Sequence, residues 1–139
     1  MIEFDNRTTL NIDENLLNEI SSLYTNKDIE LIATNNQEIK QINLDQRNID
    51  SATDVLSFPY EDMPLSPLGS IVISVDYVEQ KANELNHSTQ DEFTLLFCHG
   101  LLHLLGFDHE TDNGEMRLEE EKIITQFKLP TSLIVRIQT

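Results

Sequence analysis

Phe93, Leu95, Leu96, Phe97, Leu101, Leu102, Leu104 and Leu105 lie almost all round one helix, so the segment carrying them has little face to give to water. Such a helix belongs at the centre of a globular chain, with the other elements built against it. Thr89 followed by Glu92 makes a capping box that opens the helix. Gly106, which has no side chain to clash in a left-handed cap, closes it. A buried frame of this kind suits a precise metal site, because packing fixes the rotamers of any ligand it carries.

The frame carries histidines. Residues four apart share one helix face about one turn, roughly 6 Å, apart, so His99 and His103 can close on a single ion. The chain turns back after Gly106 and brings His109 as a third ligand. Three nitrogens leave a fourth position open on a tetrahedral ion such as zinc, which is the arrangement of a catalytic rather than a closed structural site. The spacing also matches the long zinc-protease signature, His-Glu-x-x-His-x-x-Gly-x-x-His, except that the general-base Glu is Gly100 here. A peptidase thereby loses its proton acceptor. Cys98 points about a hundred degrees away from its neighbour His99 and reads as a small buried side chain rather than a fourth ligand. His87 reads as a solvated loop residue.

A chain of 139 residues is read as one domain, residues 1–139, burying about two thirds of its unfolded surface. A single Cys offers no disulfide framework, and neither an apolar leader nor a spanning stretch is present, so a cytoplasmic, membrane-free protein is expected. Twenty-five acidic residues against nine basic ones give a formal net charge of -16, which repels polyanions at long range. The acids crowd after the last histidine, at Glu110, Asp112, Glu115, Glu119, Glu120 and Glu121; the favoured reading is a solvated helix face, the lesser one a carboxylate behind a metal-bound His.

Periodicity predicts strands at residues 2–4, 29–33, 55–58 and 71–74, and a last one at 133–137. It predicts helices at residues 12–24, 36–42 and 75–86, then the histidine helix, then one through Met116, Ile123 and Phe127. Pro59, Pro64, Pro67 and Gly69 mark a loop between the two central strands. Helices interleaved with strands make a small α/β or α+β layer structure.

Residues 99–109 read His-Gly-Leu-Leu-His-Leu-Leu-Gly-Phe-Asp-His, and residues 53–59 read Thr-Asp-Val-Leu-Ser-Phe-Pro. On these runs the chain resembles the YbeY family of bacterial metal-dependent endoribonucleases. That family's central motif, His-Gly-x-Leu-His-Leu-x-Gly-Tyr-Asp-His, is met by residues 99–109 with Phe107 in place of Tyr. A second element, Thr-Asp-Val-Leu-Ser-Phe-Pro, stands unchanged at residues 53–59, and Arg47 holds the place of the family's functional arginine six residues earlier. The third, usually Gly-Asp-Ile-x-Ile-Ser, has Ser70 where Asp is usual, and Gln46 replaces the aromatic before the arginine.

The resemblance implies an α+β fold, a mixed four-stranded sheet packed with helices, with the metal site in a cleft. It implies hydrolysis of single-stranded RNA in 3′-end maturation of 16S ribosomal RNA and in ribosome quality control, and association with the small ribosomal subunit and its proteins. Arg47 is the candidate for holding the phosphate, since a guanidinium is a planar donor fork suited to non-bridging oxygens. Asp108 is the second catalytic candidate, orienting a ligand or holding water, with a turn-fixing role as its alternative; Asp54 and Ser57 brace the site. Arg47, Lys40 and the base-bearing tail could offset the acidity locally. Zinc is the expected ion, with nickel equally suited to imidazole. A non-enzymatic assembly or RNA-binding factor with a structural metal, and a metal hydrolase of a small phosphorylated substrate, are the competing functions. The oligomeric state is not legible.

Overall fold

The computed structural model describes residues 1–130, so the strand expected at 133–137 and Arg136 of the tail lie outside the described residues. In chain order the elements are β1 (Ile2–Asn6), α1 (Glu14–Ser22), β2 (Ile29–Thr34), α2 (Asn36–Arg47), β3 (Val55–Pro59), β4 (Gly69–Ser74), α3 (Val75–Leu85), α4 (Thr89–Leu104) and α5 (Glu115–Phe127). The four strands form one sheet in the order β1-β2-β4-β3. β1, β2 and β4 run parallel, and β3 closes one edge antiparallel to β4. This is the mixed four-stranded α+β sheet that the motifs implied.

Alternation along the strands sorts the side chains into two layers. Ile29, Leu31, Ala33, Ile71 and Ile73 join Leu17 and Ile20 of α1, the apolar residues of α4 and Met116 and Ile123 of α5 in the principal core. The opposite face carries a smaller cluster of Ile39, Leu56 and Val72, covered by α2. Helix α4 is the centre of the larger core: Phe93, Phe97, Leu101 and Leu102 are wholly buried. Each such side chain contributes about 1.5–3 kcal/mol through burial, which fixes the helix firmly against the sheet.

The helix termini follow local chemistry, with two departures from the sequence reading. The N-cap of α4 is Ser88, whose Oγ accepts from the Asp91 amide at 3.0 Å, so the box opens one residue before Thr89 and Glu92 is turned inward instead. Helix α2 runs five residues past the expected 42 and ends at Arg47, where Asn48 takes the left-handed conformation at φ 60°. Residues 43–47 are mostly polar and carry no apolar rhythm, but Asn tolerates that conformation and Arg47 suits the negative end of the helix dipole.

Candidate metal centre

His99 and His103 leave successive turns of α4 with their rings edge-on, centroids 4.6 Å apart, and their Nε2 atoms face each other at 3.1 Å. Gly106, at φ 99°, then reverses the chain: its amide donates to the His103 carbonyl and that of Phe107 to the Leu102 carbonyl, both at 3.0 Å. This pair of bonds is the left-handed helix stop expected of a glycine at that place. The reversal returns His109, whose ring lies 5.6 Å from His99 and 5.8 Å from His103. One ligand atom from each of the three lies within 4.8 Å of the others, so the group could hold one ion.

The hydrogen bonds around the rings agree with that use. A carbonyl oxygen only accepts, so the 3.0 Å contact with Phe107 O places a proton on His103 Nδ1 and leaves its Nε2 lone pair facing the cluster. Two ring nitrogens facing each other at 3.1 Å suit a shared cation better than one shared proton. The His103 pKa is lowered, first by burial and then by the neighbouring His99, which favours the neutral imidazole a metal requires. Nδ1 of His99 and Nδ1 of His109 are buried without a hydrogen-bond partner among the described residues.

The triad lines a cleft of about 560 Å³. Its walls are Asp54 and the strand β3 that follows it, the turn from Gly106 to Glu110, and Arg47. Arg47 is exposed and has no carboxylate partner among the described residues. The Asp54 carboxylate accepts from the Val55 amide at 2.7 Å and so shapes the entry to β3. Ser57 donates its hydroxyl to the Gly100 carbonyl at 3.4 Å, joining the strand to the histidine helix. The Asp108 carboxylate accepts from the Glu110 amide at 3.0 Å, the turn-fixing bond that shapes the approach to His109. Gly100 has a steric reason to be glycine: a Cβ there would meet Ile71 Cγ2 at 2.9 Å and Ser57 Oγ at 3.1 Å. The place held by Glu in the protease signature thus abuts the sheet in this chain.

A family model described as Endoribonuclease YbeY matches residues 2–128. The chain belongs to the YbeY family. It is 63% identical over 136 residues to the endoribonuclease YbeY of Nautilia profundicola and 62% identical over 136 residues to that of Sulfurimonas denitrificans, with 98% of both chains covered in each case. The Aliarcobacter butzleri endoribonuclease YbeY is 60% identical over 140 residues, covering 98% of this chain and 99% of its own. Among solved structures, the solution structure of a Thermotoga maritima protein matches with a TM-score of 0.62 at 26% identity, covering 92% of each chain.

Of the three departures from the usual YbeY pattern, Phe107 lines the cleft beside the triad, whereas Gln46 and Ser70 lie together outside it, in a shallow groove with Phe58 and Tyr60. Three sequence readings need correction. Lys40 does not line the cleft and faces Asp50 at 3.8 Å, so it adds no basic patch there. His87 is not a solvated loop residue: its side chain is 12% exposed and its Nε2 lies 2.8 Å from Oε1 of the buried Glu92, which the loop before α4 folds over. Within the acidic run, Glu120 is 2% exposed rather than solvated. Its place was legible in the spacing Met116, Glu120, Ile123, which puts it on the apolar stripe of α5. Cys98 is buried as expected; burial and then the nearby Glu120 raise its pKa, keeping it a thiol rather than a ligand.

Proposed function

We propose that this protein is a metal-dependent endoribonuclease that cuts single-stranded RNA, acting in the cytoplasm on the 3′ end of precursor 16S ribosomal RNA and in ribosome quality control. The observation that carries the reading is the convergence of His99, His103 and His109 in a cleft that also presents Arg47, in a chain whose relatives are named endoribonucleases. His99, His103 and His109 would be the ligands, and zinc is the proposed ion, since an all-imidazole set suits it; nickel fits the same donors. When bound, the ion supplies Lewis acidity, lowering the pKa of water and drawing electron density from a phosphoryl oxygen.

The remaining work falls to the chain. His103 is held in one tautomer by Phe107 O, so its ligating nitrogen is oriented in advance. Arg47, exposed on the cleft wall at the end of α2, is placed by this reading on the non-bridging oxygens, where charge accumulates during in-line displacement. Asp108 acts by holding the turn that delivers His109, and Asp54 and Ser57 brace the β3 wall. The cleft lining includes the exposed Arg47, Gly106 and Glu110, so it opens onto the surface as a polymer substrate requires. Docking on basic proteins of the small ribosomal subunit would give an acidic enzyme its hold on an RNA particle.

The deciding experiment compares wild type with His103→Ala, prepared identically and equally folded by circular dichroism. Wild type should cut a single-stranded RNA resembling the precursor 3′ end and spare the same sequence in a duplex, while the variant should not cut. Equal cleavage by both would discard the metallo-endoribonuclease and favour an assembly factor.

A further inference from the structure

The buried Glu120 is unexplained by anything in the core around it. It sits on α5, 2% exposed, and neither carboxylate oxygen has a hydrogen-bond partner among the described residues. A buried carboxylate without partners is a costly choice for a core position, where an apolar side chain of similar volume would serve. One polar neighbour is telling. Oε2 lies 4.0 Å from Nδ1 of His99, itself buried and unpartnered.

The two histidines of α4 are thus treated alike. Each turns Nε2 toward the other, at 3.1 Å, and each turns Nδ1 away from the cluster. Nδ1 of His103 is already satisfied by the Phe107 carbonyl at 3.0 Å. For His99 the group in the corresponding place is the Glu120 carboxylate, about 1 Å beyond charge-assisted hydrogen-bond length. A glutamate side chain covers that gap by a small torsional adjustment.

We infer that Glu120 is a positioning residue of the metal centre: its carboxylate accepts the Nδ1 proton of His99, fixing the tautomer that leaves Nε2 to bind the ion. The bond also raises the basicity of the ligating nitrogen, as carboxylates behind metal-bound histidines do. One acid of the crowded run on α5 therefore serves the site, from an element that contributes nothing to the cleft lining. This inference rests on the reading of the triad as a metal site.

The test uses the full chain and two variants, Glu120→Leu and the nearly isosteric Glu120→Gln. Zinc affinity is measured by competition with a chromophoric chelator, and the electronic spectrum of the Co²⁺-loaded protein reports ligand geometry. Glu120→Leu should bind zinc about 10- to 100-fold more weakly, the usual loss when such a partner is removed. Its Co²⁺ bands should shift, whereas the melting temperature of its metal-free form should match or exceed that of wild type, because a buried unpaired carboxylate has been replaced by an apolar side chain. Glu120→Gln, which keeps an acceptor without the charge, should fall between them, and it decides the matter if the Leu variant does not fold. Wild-type zinc affinity and an unchanged Co²⁺ spectrum in the folded variants would overturn the inference. Absence of zinc binding by wild type would overturn the metal reading itself, a separately visible failure.

Discussion

At the scale of single residues, the cleft divides its labour between groups held fast and an exposed cation. His103 is oriented by a backbone carbonyl, and Asp108 and Asp54 have carboxylate oxygens engaged by local amides. Arg47 is different: it stands exposed on the wall with no acidic partner among the described residues, so its guanidinium is available to a phosphate. Arg47→Ala should therefore leave metal content and melting temperature near those of wild type, because an exposed side chain at a helix end carries little stability. Cleavage of single-stranded RNA should fall about ten- to a thousand-fold, the range for losing one charge-stabilising donor. Steady-state turnover at saturating metal checks this, and an unchanged kcat would remove Arg47 from the mechanism. Ser70 stands outside this machinery. It pairs with Glu30 on β2 and with Phe58 on β3 in the groove that also contains Gln46, so the carboxylate usual at that position is absent without altering the triad.

Among elements, the contact of α4 with the β3–β4 edge sets the shape of the cleft, and it turns on Gly100. Its carbonyl accepts from Ser57, and the space a Cβ would take is bounded by Ile71, which is wholly buried and stiff at χ1. Two effects compete in Gly100→Ala. Helix propensity favours Ala by about 1 kcal/mol, while overpacking against a close-packed neighbour costs about 1–3 kcal/mol. The 2.9 Å approach to Ile71 makes the second effect the larger, so the variant should be destabilised by up to about 2 kcal/mol in urea unfolding, with weaker metal binding as the helix shifts off the strand. Stabilisation by the full propensity term would show that the helix moves away freely.

This same scale shows what the sequence could and could not reveal. The triad was legible because helical spacing and a glycine stop are local, and both were read from residues 99–109. The strands were legible because Ile29, Leu31, Ile71 and Ile73 alternate toward one core. The full length of α2 was not, because Asn43 to Arg47 lack an apolar rhythm and that end is defined by the left-handed Asn48. Nor could spacing alone single out Glu120 as a partner of His99, since that meeting of α5 with α4 is tertiary; periodicity marked only its buried face. His87 was misread for the same reason, as its partner Glu92 turns inward only once α4 is packed.

For the whole molecule, the central tension is a formal net charge of -16 on a protein read as acting on a polyanion. Nucleic-acid binders that rely on many phosphate contacts lose affinity steeply with salt, by a slope of about -0.7 per phosphate neutralised on a single strand. The cleft offers one cation, Arg47, besides the metal position; Lys40 is turned to Asp50, and Lys27, Lys81, Arg117 and Lys122 each face a carboxylate. The long-range field of the remaining surface repels RNA, and added salt screens that repulsion as well as the local attraction. One or two phosphate contacts therefore predict that affinity for a short single-stranded RNA falls only about three- to sevenfold between 50 and 200 mM salt. Fluorescence anisotropy with catalytically inactive His103→Ala would measure the slope without cleavage. A slope steeper than about -4 would require about six or more neutralised phosphates, and so a basic RNA track that the described residues do not form. A shallow slope would instead mean that tight association with ribosomal particles must come from protein contacts, which an acidic surface makes with basic ribosomal proteins and which should weaken sharply over the same salt range.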